Sequence, residues 1–140
     1  MDAALLRTSF DLIAAEKYEF IEAFYQILFE KYPEVRPLFA NTDMPRQVRI
    51  LADILGAVVE GVGAGNDLTP TLKALGARHQ KYGVSADHYP KVADALLATF
   101  QARLGSQWTL AYQDAWTQAL TVIAEVMSSS SNPVSVSNRP

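Results

Sequence analysis

Apolar side chains recur along most of this chain every three or four residues, the spacing that gives a helix one buried face. Leu5, Leu6, Phe10 and Ile13 open the first such stretch. A second carries Phe20, Ile21, Phe24, Tyr25, Leu28 and Tyr32 against a polar face of Glu19, Glu22, Gln26 and Glu30. Pro33 and Pro37 bracket PEVRPLF, which leaves room for only a short helical turn or two. Asp43 predicts the cap of a third long helix, with Pro45 in its first turn, where no donor is missed. That helix carries Leu51, Ile54, Leu55, Val58 and Val62 until Gly61, Gly63 and Gly65 end it. Leu68, Leu72, Leu75 and His79 then follow at intervals of four, three and four, so one stripe ends in a histidine. Asp87 predicts the cap of the next helix, whose face holds Val92, Leu96, Phe100 and Leu104. Thr109 starts the last, with Tyr112, Trp116, Leu120, Ile123 and Met127. No alternating run, hairpin dipeptide or internal repeat breaks the pattern. The chain reads as all-α.

Composition narrows the chemistry. With 140 residues, 49% of them hydrophobic and 19% charged, the chain can bury one core and is not of disordered composition. A net charge of -3 lacks the cationic footprint of a nucleic-acid binder. The absence of cysteine excludes disulfides, thiolate zinc sites, iron–sulfur clusters, thiol nucleophiles and thioether-linked haem. MDAALLRTSF has no basic, apolar leader pattern, and no run of about 18 apolar residues occurs, so the expectation is a cytoplasmic protein without a membrane partner. Ser128–Pro140, rich in Ser, Asn and Pro, is expected to form a flexible tail behind a folded domain of residues 1–127.

Three polar residues fall where the pattern calls for core: His79, Gln47 (one turn before Leu51) and Tyr25. Each must find a partner, since an unpaired buried polar group costs about 1–3 kcal/mol. A backbone carbonyl would satisfy each, and buried polar groups are usually satisfied that way. Alternatively, a lone neutral imidazole on a helix is the axial donor a haem iron needs. With only His79 and His88, a multi-histidine metal site is hard to build, and no Glu-x-x-His pair offers a di-iron site. His88, at a helix start, is expected to face solvent.

EAFYQILFEKYPEVRPLF, QVRILADILG, LTPTLKALGARHQKYGVSADHYPKVADALLATF and DAWTQALTVIAEVM occur in that order and resemble the globin part of the flavohaemoglobin family, in particular its single-domain bacterial members. The resemblance covers roughly residues 3 to 127 and implies a globin fold, a three-on-three helical sandwich around a haem pocket. Position by position, His79 matches the proximal iron ligand and Tyr25 the distal tyrosine whose hydroxyl faces bound oxygen. Phe39 matches the phenylalanine packed on the haem face. Gln47 and Leu51 match the distal glutamine and leucine, and Tyr89 the tyrosine beside the proximal histidine. One position departs: a glutamate expected on the last helix falls near Ser131, and residues 128 to 131 are all serine. Its absence is expected to leave the imidazole less electron-donating.

What the resemblance implies is haem b (iron protoporphyrin IX) that binds oxygen reversibly, and also nitric oxide and carbon monoxide. Tyr25 and Gln47 would stabilise the polar bound gas by hydrogen bonds, the two residues to which any catalytic role falls. Nitric-oxide dioxygenase activity is compatible with that pocket, but no flavin or nicotinamide domain lies in these residues, so turnover would need a separate reductase. The rival reading is a haem-based gas or redox sensor, or a helical interaction module that keeps the fold.

Overall fold

The computed structural model describes residues 1–131, with side chains described as far as Ser129. Asp2 opens the first helix, its carboxylate accepting the Leu5 N–H at 3.1 Å, and α1 runs Ala3–Asp11. A 3-10 turn, Ala14–Glu16, bends the chain into α2, Lys17–Lys31. PEVRPLF forms a 3-10 segment, Pro33–Phe39, in which Pro37 has no N–H to extend an α ladder. There follow α3 (Met44–Gly63), α4 (Thr69–Lys81), α5 (His88–Leu104), a turn at Gly105–Gln107, and α6 (Leu110–Ser131). Among the described residues there is no strand. The all-α reading holds.

Most termini follow the expected chemistry. Asp43 accepts the Arg46 N–H at 3.3 Å, and Gly65, at φ +76°, turns the chain after α3. Thr109 accepts the Tyr112 N–H at 3.2 Å. Gly61 lies within α3, where a Cβ would stand 2.9 Å from the Leu68 side chain. Asp87 departs from expectation. Its backbone is already near-helical (φ -72°, ψ -11°) and its carboxylate makes no cap bond. The Ser85 N–H instead donates to Nδ1 of His88 at 2.9 Å. His88 is therefore half-buried and closes a loop, rather than standing free in solvent. The last helix also continues through Ser128–Ser131, beyond the boundary expected at residue 127. A serine hydroxyl can bond back to the preceding turn, as Ser129 does to Val126 O at 2.7 Å. The rest of the expected tail, 132–140, lies outside the described residues.

Helices α1, α3 and α4 form one layer and α2, α5 and α6 the other, with α2 crossing α3 and α1 and α4 resting on α6. Phe20, Phe24, Leu28, Phe100 and Trp116 fill the core between them. Phe100 stacks on Trp108 with ring centroids 4.5 Å apart, and the Trp116 indole donates to Ser9 Oγ at 2.7 Å. Within the first layer, α3 and α4 barely touch. Leu72 of α4 and Met127 of α6 are buried, yet they sit outside the contiguous core. Helix α4 is held mainly through α6, where Gly76 lets the two backbones close.

Candidate functional site

Tyr25 is 6% exposed on α2, its ring in contact with Phe24, Phe29 and Phe39 at centroid distances of 5.0, 5.9 and 5.5 Å. Phe39 is carried by the 3-10 segment, which one hydrogen bond at its start and one ion pair fasten to α5. Tyr32 donates to Asp94 at 2.6 Å, and Lys91 pairs with Glu34 at 3.0 Å. Gln47, in the first turns of α3, donates through Nε2 to the Tyr25 hydroxyl at 3.1 Å. The Tyr25 oxygen is thus an acceptor within the protein, which leaves its own hydrogen to be given elsewhere. Burial pushes the phenol pKa up to about 12, and the Gln47 bond opposes that only in part. At neutral pH the hydroxyl keeps its proton.

Helix α3 is apolar on two adjoining stripes. Val48, Ala52, Leu55 and Val59 are buried, on the side that meets α1 and α2. One residue earlier in each turn, Gln47, Leu51, Ile54 and Val58 stay half-buried. Apolar side chains left half-covered across two turns offer a strip on which a further apolar surface could lie.

On α4, Leu72 is buried while Leu75 and His79 are half-buried. His79 Nδ1 lies 2.8 Å from Leu75 O. A carbonyl only accepts, so Nδ1 must carry the hydrogen, and in the neutral ring Nε2 then presents a lone pair. That tautomer suits a metal ligand, with its ring orientation fixed from behind. Among the described residues no three His, Asp or Glu side chains gather in a way that could hold a metal ion. A metal held here would therefore take most of its donors from a non-protein group.

Of the residues singled out from sequence, the structure brings Tyr25, Phe39 and Gln47 into one cluster, with Leu51 one turn along α3. His79 stands apart on α4, on the other side of the divide between α3 and α4, without a hydrogen bond to that cluster. Tyr89 is half-buried in the first turn of α5. Three contributors escaped sequence reasoning. Phe29, one turn after Tyr25, packs on both Tyr25 and Phe39 beneath the Arg36 guanidinium. The Leu75 carbonyl sets the imidazole. Gly76 sets how close α4 comes to α6. Helical spacing from Tyr25 could have found Phe29, and a glycine inside a helix could have flagged a close approach, but a backbone carbonyl leaves no mark in sequence. An open hollow of about 430 Å³ between α1 and α6, lined by Asp2, Leu5 and Asp114, holds none of these groups.

Comparison with known proteins bears on the family and the fold. The Globin family model matches residues 22–127. Flavohemoproteins of Bacillus cereus and Xylella fastidiosa are 29% and 30% identical over 86% and 88% of the chain. The chain spans about a third of their length, 30% and 31% respectively. A bacterial globin from Campylobacter jejuni superposes with a TM-score of 0.80 at 21% identity, covering 95% of this chain and 96% of that one. An engineered carbene transferase, derived from an assigned nitric oxide dioxygenase of Rhodothermus marinus, gives 0.81 at 28% identity over 95% and 92%. Among the described residues no helix is long and apolar enough to cross a membrane. The chain belongs to the globin family, and its similarity extends to the flavohaemoproteins.

Proposed function

We propose that this chain binds haem b with His79 as the iron's protein ligand, and holds oxygen, nitric oxide or carbon monoxide beside Tyr25 and Gln47. The observation that carries this reading is the Nδ1–H···O=C bond from His79 to Leu75, which in the neutral ring leaves the lone pair on Nε2. The surroundings fit the group. The half-buried stripe Leu51–Ile54–Val58, the Phe39 ring and the slight contact between α3 and α4 suit a flat apolar molecule. Haem, when bound, supplies the iron that takes the gas.

The protein's own residues would then act as follows. Tyr25 donates its hydroxyl hydrogen toward the gas, and its raised pKa keeps that hydrogen in place. Gln47 holds the Tyr25 oxygen, orienting the hydroxyl and strengthening it as a donor. Phe29 and Phe39 exclude water around the pair. The same pocket suits oxidation of nitric oxide by oxygen to nitrate, which draws one electron from the iron. An electron donor would have to return it.

The test is Tyr25→Phe, which removes one hydroxyl with little change in volume. A hydrogen bond to a charged or strongly polar acceptor is worth about 1.5–3 kcal/mol, so oxygen should leave about ten- to a hundredfold faster. Carbon monoxide, a weaker acceptor, should change much less. Gln47→Leu should shift oxygen release in the same direction but less. Equal changes for both gases, or oxygen release at the parental rate, would refute the reading.

A further inference from the structure

Helix α4 presents two contrasting faces. Leu72, Leu75, Gly76 and His79 face inward, while Lys73, Arg78 and Lys81 are exposed on the outer side. The helix has no acidic residue, although the chain as a whole carries -3. The remainder of the molecule is therefore more acidic than the net charge implies, and the cations of α4 stand out against it. Four ion pairs occur among the described residues, and none involves Lys73, Arg78 or Lys81. Where the helix ends, Tyr82 is 69% exposed, one of the most exposed large side chains described.

From this arrangement we infer that the outer face of α4, Lys73, Arg78, Lys81 and Tyr82, is the docking surface for an acidic electron-donor protein. The inference rests on the haem reading in one respect: the partner's task is to return an electron to a group held by His79. The outer face lies about one helix diameter, roughly 10 Å, from the imidazole side of the same helix. A donor seated there needs no opening of the pocket. Three unpaired cations and one aromatic ring make a small patch, the size class of transient redox encounters rather than of permanent complexes. Charges of this kind steer encounter and set orientation more than they add affinity. Nucleic acid and anionic membranes fit less well. Both present a broad field of negative charge, which the acidic remainder of the chain would repel.

The experiment uses the haem-loaded chain in its ferric form and photoreduced flavodoxin, a small acidic protein, as the probe. Parental protein should be reduced with a second-order rate that falls steeply as sodium chloride rises from about 10 to 200 mM, beyond which screening is strong. The variant carrying Lys73→Glu, Arg78→Glu and Lys81→Glu together should be reduced at least tenfold more slowly at low salt, with its salt dependence abolished or reversed. Both proteins should be reduced equally by an uncharged deazaflavin radical. Amide chemical shifts on labelled chain should move at residues 73–82 when flavodoxin is added. Equal flavodoxin rates and salt slopes for parent and variant would overturn the inference, as would shifts confined to another face. Binding of the parent but not the variant to phosphatidylserine vesicles, without flavodoxin-induced shifts, would assign the patch to a membrane instead. The shift mapping also works without haem. A chain that docks flavodoxin through α4 yet takes up no haem would sink the haem reading and leave the docking surface standing.

Discussion

Replacing Gly76 by alanine tests the joint that holds the imidazole-bearing helix. A Cβ at this position would stand 2.7 Å from Met127 Cα and 2.9 Å from its carbonyl carbon, and closer still to the carbonyl oxygen. These are backbone atoms of α6, so no side chain can rotate out of the way. Ordinary contact begins near 3.4 Å, so α4 must withdraw from α6 by about 1 Å or the helices must bend. Overpacking of this kind costs about 1–3 kcal/mol, against a total stability of about 5–15 kcal/mol. For a chain of this size the melting temperature should fall by about 3–10 °C. Because His79 follows Gly76 by three residues on the same helix, haem should also pass to excess apomyoglobin severalfold faster. Gly63→Ala is the control. Nothing lies within 4 Å of a Cβ there, so the variant should hold or gain stability through helix propensity. Thermal melts of both variants decide the matter. Gly76→Ala melting at the parental temperature would show that α4 is not seated on Met127 as described.

Two further predictions concern stability. Ser9→Ala leaves the Trp116 indole N–H buried without its acceptor, since both residues are essentially inaccessible. It should cost about 1–3 kcal/mol, seen as a lower denaturant midpoint with an unchanged slope; a shift below about 0.3 kcal/mol would contradict the bond. Burial raises the Tyr25 phenol from its ordinary 10.0 to about 12 in the folded protein, so above pH 10 the unfolded chain loses this proton first and stability declines. That difference amounts to roughly 3 kcal/mol, present below pH 10 and lost by about pH 12. Tyr25→Phe should remove that part of the alkaline decline when haem-free parent and variant are compared, and an unchanged decline would place the phenol in water.

Much of this fold was written in local chemistry. Asp43 and Thr109 cap where a short acceptor precedes an apolar period, and PEVRPLF stays short because its second proline cannot donate. Tyr25 and Gln47 were legible as polar residues on otherwise apolar stripes. The features that were not legible depend on distance or on the backbone. Ser9 and Trp116 are 107 residues apart, so no window of sequence joins them. Asp87 makes no cap bond because its own backbone is already helical, Pro90 three residues on has no N–H, and the Tyr89 N–H goes to Ala86 O at 3.3 Å. The serines after Met127 are helical because a favourable helix already precedes them, whereas their composition taken alone suggests a tail. Within the site, His79 could be placed on an apolar stripe, but the tautomer that would suit it to the proposed ligand role depends on the Leu75 carbonyl.

The most direct test of the account is the absorption spectrum of His79→Gly titrated with haemin, beside the parent and His88→Gly. The parent and His88→Gly should each bind one equivalent and show a sharp Soret band. His79→Gly should bind weakly, and imidazole added to the solution should restore both stoichiometry and spectrum by taking the place of the missing ring. A His79→Gly chain that binds one equivalent with the parental spectrum, with no imidazole present, would contradict the assignment of His79 as the iron's ligand.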